Sequence, residues 1–162
     1  MKIMITDAKP EHIDDCLTTV TQSQLGREYF YDSNETRHLL LGGFANDEIS
    51  VAHGDGPDGE PDKFLGFMWV VPNGAFYDYP FLHLIAVKEE LRGHGIGSRL
   101  LDFIEELFFA DHSKIFLVVA DFDIGPKRLY ESRGYVQVGT IPSLYKDGVA
   151  EQLMMKTKEK NS

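Results

Sequence analysis

The chain has 162 residues, and its 26 acidic against 16 basic residues give a net charge of −10. This length fits one domain with its own core, so we expect a single domain over residues 1–162. The acidic balance argues against nucleic-acid binding, which needs a basic face, and favours cationic partners. No apolar run approaches the ~20 residues of a membrane span. The N-terminus lacks a signal-peptide core, and Cys16, the single cysteine, suits a reducing compartment, so the expected location is cytoplasmic.

The first half of the chain predicts a strand, two helices and two further strands. Residues 2–7 are expected to form the first strand, and a helix is expected to begin at Pro10. A second helix is predicted over residues 33–44, and strands are predicted over residues 48–53 and 64–71.

The connector between these two strands, residues 54–63, reads GDGPDGEPDK. Its four carboxylates resemble a metal site, but they lack the spacing of a calcium loop and its closing bidentate glutamate. We therefore expect a solvated hairpin loop and no metal.

The second half of the chain predicts a strand–helix–strand crossover. Residues 81–87 are almost wholly apolar, which is typical of a strand buried on both faces. A helix with an apolar stripe is expected over residues 97–111, followed by a strand over residues 115–120. Such a unit makes the two strands parallel neighbours. The remaining elements are a helix over residues 124–133 and strands over residues 135–140 and 150–156.

A glycine-rich turn, Leu-Arg-Gly-His-Gly-Ile-Gly-Ser at residues 91–98, joins this strand to its helix. Glycines let backbone N–H groups approach a phosphate, and the helix dipole favours the negative charge. A P-loop would need Lys after Gly97, and the dinucleotide fingerprint would need Gly or Ala in place of Ser98. A third pattern, Arg/Gln-x-x-Gly-x-Gly/Ala, is met by Arg92, Gly95 and Gly97.

This third pattern resembles the motif with which GNAT N-acetyltransferases cradle the pyrophosphate of acetyl-CoA. The element order β-α-α-β-β-β-α-β-α-β-β also matches that family. The resemblance implies an α/β (α+β) fold with a mixed, mostly antiparallel sheet of about six or seven strands and about four helices. It places the pyrophosphate of acetyl-CoA against Arg92, Gly93, His94, Gly95, Ile96, Gly97 and Ser98.

A second motif of the same family is similar to residues 123–135. Asp123 and Tyr130 lie seven residues apart, so they share one face of a helix, and Gly134 and Tyr135 follow. The resemblance implies that this face contacts the pantetheine arm and that the Tyr130 hydroxyl lies near the thioester sulfur. Asp123 stands where the family usually has Asn, and it is also a good helix cap. Pro126 replaces the usual Ala and is tolerated in a first turn.

Acyl transfer from a thioester to an amine needs a group that protonates the departing thiolate. A phenol is protonated at neutral pH and can donate to the sulfur, so Tyr130 is the candidate general acid. The alternative is that Tyr130 is an amphipathic core aromatic.

The strand before the glycine turn supplies the other candidates. By resemblance, the backbone of Ile85, Ala86 and Val87 binds pantetheine and polarises the thioester carbonyl. His83 is the only titratable side chain in this run and is the candidate general base. The alternatives are a hydrogen-bonded core histidine at position 83, Asp121 or Asp78 as the base, or an amine that loses its proton to water.

Two segments rich in aromatics and acids, residues 25–32 and 72–80, are the candidate acceptor site for a cationic amine. Tyr145, in residues 141–148, is a third candidate there. These aromatics could instead pack within the domain or in a homodimer contact. The predicted function is transfer of the acetyl group of acetyl-CoA to a primary amine of a small molecule, peptide or protein, by direct attack in a ternary complex. The alternative is a non-catalytic CoA-binding regulatory module.

Overall fold

The computed structural model describes residues 2–56 and 58–160, which form seven strands, five α-helices and two short 3-10 helices. The strands are β1 (Ile3–Asp7), β2 (Ile49–Gly54), β3 (Lys63–Ala75), β4 (Tyr79–Val87), β5 (Lys114–Ala120), β6 (Val136–Ile141) and β7 (Glu151–Thr157). The α-helices are α1 (Ile13–Thr21), α2 (Gln24–Tyr29), α3 (Ser33–Ala45), α4 (Ile96–Phe108) and α5 (Ile124–Ser132), and the 3-10 helices span Pro10–His12 and Glu89–Leu91.

The seven strands form one sheet in the order β1-β2-β3-β4-β5-β7-β6. The pairs β1–β2, β2–β3, β5–β7 and β6–β7 are antiparallel, whereas β4 and β5 are parallel and are connected through α4. The predicted mixed, mostly antiparallel sheet and its parallel crossover are confirmed.

The structure has one α-helix more than the sequence predicts, because α2 (Gln24–Tyr29) lies where no helix was predicted. The hydroxyl of Ser23 accepts a hydrogen bond from the Gly26 N–H (2.9 Å) and so caps α2 at its start. Gly26 lies so close to the carbonyl oxygen of Val20 that a Cβ there would be 1.9 Å from it. With only six residues, α2 is too short to show a helical repeat of apolar residues, so such a repeat could not predict it.

The segment 72–80 was not included in the predicted strands, but most of it is strand. Strand β3 continues to Ala75 and β4 starts at Tyr79, so these residues form a hairpin. Phe76 and Tyr77 occupy its turn with φ values of 57° and 64°. Residues with side chains rarely adopt this conformation, and the glycine that usually marks such a turn in a sequence is missing here.

Burial along β4 alternates, so the prediction of a strand buried on both faces is wrong. Leu82, Leu84 and Ala86 are buried, whereas the residues between them are half-buried. One face of this central strand therefore packs into the core, and the other, which carries His83, Ile85 and Val87, is only partly covered.

The chain forms two compact units. The first comprises the residues up to Trp69 together with Leu84–Phe103, and Cys16 is fully buried in its core, where burial raises the pKa of the thiol. The second comprises Val70–His83 and the residues from Ile104 onward, and its core includes Leu117, Tyr135 and Met154. In the part of the chain that is described, no helix is long and apolar enough to cross a membrane.

Candidate functional site

The glycine turn at residues 92–95 is exposed and has two residues in the left-handed region. Gly93 has φ 81° and Gly95 has φ 79°. A Cβ built at either position would meet no atom within 4 Å. The backbone angle, and not lack of space, therefore selects glycine at both positions.

This turn leads directly into α4. The Gly95 carbonyl accepts a hydrogen bond from the Arg99 N–H (3.1 Å), which is the first bond of the helix. The N–H groups of Ile96, Gly97 and Ser98 precede that bond and have no acceptor within the helix. With the positive end of the dipole of a 13-residue helix, they make this terminus suited to an anion.

The side chain of His94 braces the turn. Its Nδ1–H donates to the carbonyl oxygens of Leu91 (3.0 Å) and Arg92 (3.2 Å). The ring is therefore held by the backbone beside it. The Arg92 side chain is exposed.

The end of β4 leaves its parallel ladder early. In the described ranges, the ladder with β5 joins Phe81 to Phe116 and Leu82 to Leu117 and extends no further. The backbone of Ile85, Ala86 and Val87 continues beyond it and leads to the glycine turn. Along residues 85–87, the amide and carbonyl groups that face the β5 side of the strand are therefore not part of the ladder with β5.

Gly66 on β3 fixes the position of this same stretch of β4. A Cβ at Gly66 would lie 2.6 Å from the Ala86 carbonyl oxygen and 3.1 Å from the Val87 Cα. Only glycine permits this approach. Sequence reasoning missed Gly66, because the atoms it touches are 20 residues away along the chain.

Tyr130 lies on α5, in the second compact unit, and only 6% of its surface is exposed. Burial raises the pKa of its phenol well above the usual value, and the negative charge of Asp123 raises it further. Tyr130 is therefore a neutral hydrogen-bond donor at any physiological pH. Asp123 is the N-cap residue of α5, but its side chain makes no capping hydrogen bond. The prediction that this side chain caps the helix is therefore wrong.

The end of α5 closes in a Schellman motif. Gly134, with φ 93°, donates to the Glu131 carbonyl (3.1 Å), and the Tyr135 N–H donates to the Tyr130 carbonyl (3.0 Å). The rings of Tyr130 and Tyr135 meet edge to face with centroids 5.9 Å apart, which is the side-chain contact typical of this motif. The predicted end of this helix at residue 133 thus lies directly before a left-handed glycine.

A model of the acetyltransferase (GNAT) family matches residues 12–135 of the chain. The chain belongs to this family. This assignment agrees with the resemblance carried by the glycine turn and by residues 123–135.

Known proteins agree with this assignment. The chain is 38% identical over 76 residues to an uncharacterized N-acetyltransferase, MJ1530, of Methanocaldococcus jannaschii; the match covers 46% of this chain and about half, 49%, of that protein. It is similar in fold to Ard1 from Thermoplasma volcanium (TM-score 0.80, 20% identity, 99% and 100% of the two chains). A further similar structure is an aminoglycoside 6′-N-acetyltransferase complexed with coenzyme A (TM-score 0.70, 20% identity, 98% and 99%).

The candidate bases differ in how they are held. His83 is half-buried on β4, with its ring 6.0 Å from that of Phe81. The Asp121 carboxylate accepts a hydrogen bond from the Ala150 N–H (3.1 Å), which gives it a structural role. Asp78 is exposed beside the hairpin turn. Of the three, His83 is the one on the GNAT strand that precedes the glycine turn.

Two of the four carboxylates of the loop at residues 54–63 pair with neighbouring side chains. Asp62 contacts His53 Nδ1 (2.5 Å), and Glu60 contacts Lys63 Nζ (2.7 Å). Among the described residues, no three His, Cys, Asp or Glu side chains are grouped so that they could hold a metal ion.

The candidate acceptor aromatics are exposed. Tyr31, Phe76 and Tyr77 expose 81%, 68% and 93% of their surfaces, and Tyr145 is exposed as well. The Phe76 ring meets Phe116 edge-on, with centroids 5.3 Å apart. These side chains are thus available for contacts outside the core, which is what an acceptor-binding role requires.

Replacing Gly95 with Ala is expected to weaken acetyl-CoA binding by about tenfold. An alanine at φ 79° is strained by about 1–2 kcal/mol, and an exposed turn relieves that strain by leaving the conformation that presents its amides. The measurement is acetyl-CoA affinity by calorimetry. Gly59→Ala is the matched control, because Gly59 has the same φ of 79° and equally open surroundings in another loop. Equal affinities for both variants would contradict the role of the turn.

Folding stability is expected to fall as the pH rises above about 10. The phenol pKa values of Tyr130 and Tyr135 are raised in the folded state, chiefly by burial. Below the phenol pKa of the unfolded chain, the tyrosine is protonated in both the folded and the unfolded protein. Above that pKa the tyrosine stays protonated only in the folded protein. Each tyrosine therefore lowers the folding stability by about 1.4 kcal/mol per pH unit in that range. Thermal midpoints between pH 8 and 11 test this. Tyr135→Phe should flatten the loss, whereas Tyr77→Phe, at an exposed position, should not; equal slopes would contradict it.

Proposed function

We propose that this GNAT protein moves the acetyl group of acetyl-CoA to a primary amine of a small molecule, peptide or protein. The observation that carries the proposal is the turn at residues 92–98. Two left-handed glycines and three amides at the start of α4 follow directly on residues 85–87, a strand segment that extends past the ladder with β5. An anion site thus follows a row of backbone groups along the chain. Acetyl-CoA has a pyrophosphate for the first and an extended thioester arm for the second.

In this proposal the two parts bind different parts of acetyl-CoA. The pyrophosphate is held by the amides that begin α4 and by the Arg92 guanidinium, which is exposed and carries the opposite charge. The backbone of Ile85, Ala86 and Val87 binds the pantetheine arm and donates to the thioester carbonyl oxygen. Donors fixed by the sheet stabilise the oxyanion without reorganising during the reaction.

The reaction is direct attack within a ternary complex. The neutral amine nitrogen attacks the thioester carbonyl carbon, a C–N bond forms, and the C–S bond breaks. The nitrogen loses one proton, and the sulfur gains one. Tyr130 donates a hydrogen bond or its proton to the sulfur. Burial raises its pKa and keeps the phenol protonated, which favours the hydrogen bond.

His83 is the proposed base that accepts the proton of the amine, directly or through water. It lies on the partly covered face of β4, two residues before the segment that polarises the carbonyl. His83→Ala is then expected to remove a limb near neutral pH from the profile of kcat/KM, measured across pH 5.5–9. An unchanged profile would return His83 to a packing role and leave the amine to lose its proton to water.

Two features support a cationic acceptor. The net charge of −10 favours the approach of cations, and exposed aromatics can receive an ammonium group. One protein of similar fold is named as an acetyltransferase of aminoglycosides, which are polyamines. We therefore place small polyamines and peptide amines first among the candidate acceptors.

Direct attack can be distinguished from an acetyl-enzyme route by experiment. The protein incubated with acetyl-CoA alone should show no acetyl adduct by intact-mass spectrometry. With both substrates varied, double-reciprocal lines should intersect. A stoichiometric adduct together with parallel lines would contradict a ternary complex and would point to a covalent intermediate.

A further inference from the structure

A buried charge cluster lies next to the end of α5. The Glu105 carboxylate, on α4, contacts Lys156 Nζ at 2.5 Å and Arg133 Nη2 at 3.4 Å. The Tyr135 hydroxyl donates to the same carboxylate at 3.5 Å. The side chains of Glu105, Lys156 and Arg133 are only 11%, 16% and 20% exposed, so the cluster is largely shielded from water.

Tyr135 and Arg133 connect this cluster to Tyr130. The Tyr135 ring packs on the Tyr130 ring, and its N–H donates to the Tyr130 carbonyl. The other end of Tyr135 is held by Glu105, and the Lys156 ammonium lies 6.0 Å from the centre of its ring. The Arg133 N–H also donates to the Tyr130 carbonyl (3.0 Å). Tyr135 and Arg133, which both contact Tyr130, are thus held by the same carboxylate.

Stability alone does not account for such a cluster. Taking three charges out of water is costly, and well-packed apolar side chains of similar volume are often as stable. The charges add directional contacts. The carboxylate accepts from three donors, one of which is the Tyr135 hydroxyl, and so holds that hydroxyl in place.

We propose that Glu105, held by Lys156, is a positioning residue for Tyr130. It fixes Tyr135 through its hydroxyl, and the Tyr135 ring fixes the ring of Tyr130. This rests on the proposed role of Tyr130 as proton donor. A donor must be placed to a fraction of an ångström, and a displacement of about 1 Å costs on the order of 10²-fold in rate.

The test is Glu105→Gln, which keeps the size of the side chain and removes its charge. We expect kcat to fall on the order of tenfold, with the KM for acetyl-CoA within about twofold, because the Tyr130 hydroxyl is proposed to act on the departing sulfur. Glu106→Gln is the matched control: Glu106 is the next residue on α4 and is exposed. Tyr135→Phe keeps the ring and removes the hydroxyl, so it should lower kcat in the same way. This variant provides the test if Glu105→Gln folds poorly.

The Tyr130→Phe background separates positioning from general damage. There Glu105→Gln should change kcat less than about twofold, because the group that it positions is gone. Lys156→Arg should retain more activity than Lys156→Met. The positioning role would be overturned if Glu105→Gln lowered kcat equally in the parent and in Tyr130→Phe. It would also be overturned if neither Glu105→Gln nor Tyr135→Phe lowered kcat. If Tyr130→Phe alone leaves kcat unchanged, the acid role fails, and the positioning role fails with it.

Discussion

Replacement of Tyr130 with Phe is expected to lower kcat by about 10²- to 10³-fold and to leave the KM for acetyl-CoA within about twofold. The ring stays and continues to pack on Tyr135, so the substitution removes one hydroxyl from a buried position. That hydroxyl is neutral because burial raises its pKa, and in our account it donates only to the departing sulfur. An interaction made only in the transition state appears in kcat and not in substrate binding.

The control for this variant is its fold. The thermal midpoint and the acetyl-CoA affinity of Tyr130→Phe should match the parent at neutral pH. A kcat within about threefold of the parent would show that Tyr130 is a core aromatic. An equal loss in kcat and in affinity would show that it binds the ligand and does not act as an acid.

Replacement of Gly66 with Ala is expected to cost about 1–3 kcal/mol of folding stability and to lower kcat/KM by at least tenfold. The new methyl group would lie 2.6 Å from the Ala86 carbonyl oxygen and 3.1 Å from the Val87 Cα. Both are main-chain atoms, so β3 and β4 must move apart to relieve the clash. That movement displaces the backbone groups proposed to polarise the thioester.

Gly139→Ala is the matched control for Gly66→Ala. Gly139 is also a strand glycine, but a Cβ there would meet no atom within 4 Å. Urea unfolding and steady-state kinetics measure the two effects. If Gly66→Ala kept the parent kcat/KM while losing stability, the exact position of residues 85–87 would not matter for catalysis.

The parts of the fold that could be predicted from the sequence are those whose signal is local. The apolar runs of β4 and β5, with a helical period between them, predicted the parallel crossover, which is confirmed. The glycine at position 134 likewise marked the end of α5. In each case neighbouring residues along the chain carry the whole pattern.

What could not be predicted depends on partners distant in sequence. Glu105 looks like a surface residue of α4, and its partners Arg133 and Lys156 lie 28 and 51 residues away. The half-covered face of β4 has the same cause, because burial depends on what packs there and an apolar composition does not show it. The two turn positions with positive φ are Phe76 and Tyr77, and neither is the glycine that would have predicted a turn there.

The most direct test of the account is amine-dependent release of CoA from acetyl-CoA. The protein would be supplied with acetyl-CoA and a panel of polyamines, aminoglycosides, peptides with free N-termini and lysine peptides, and both the free thiol and the acetylated product would be measured. We predict that at least one amine accelerates thiol release and gains one N-linked acetyl group per CoA released. If acetyl-CoA binds at the glycine turn and no amine accelerates release or is acetylated, N-acetyl transfer to an amine is contradicted.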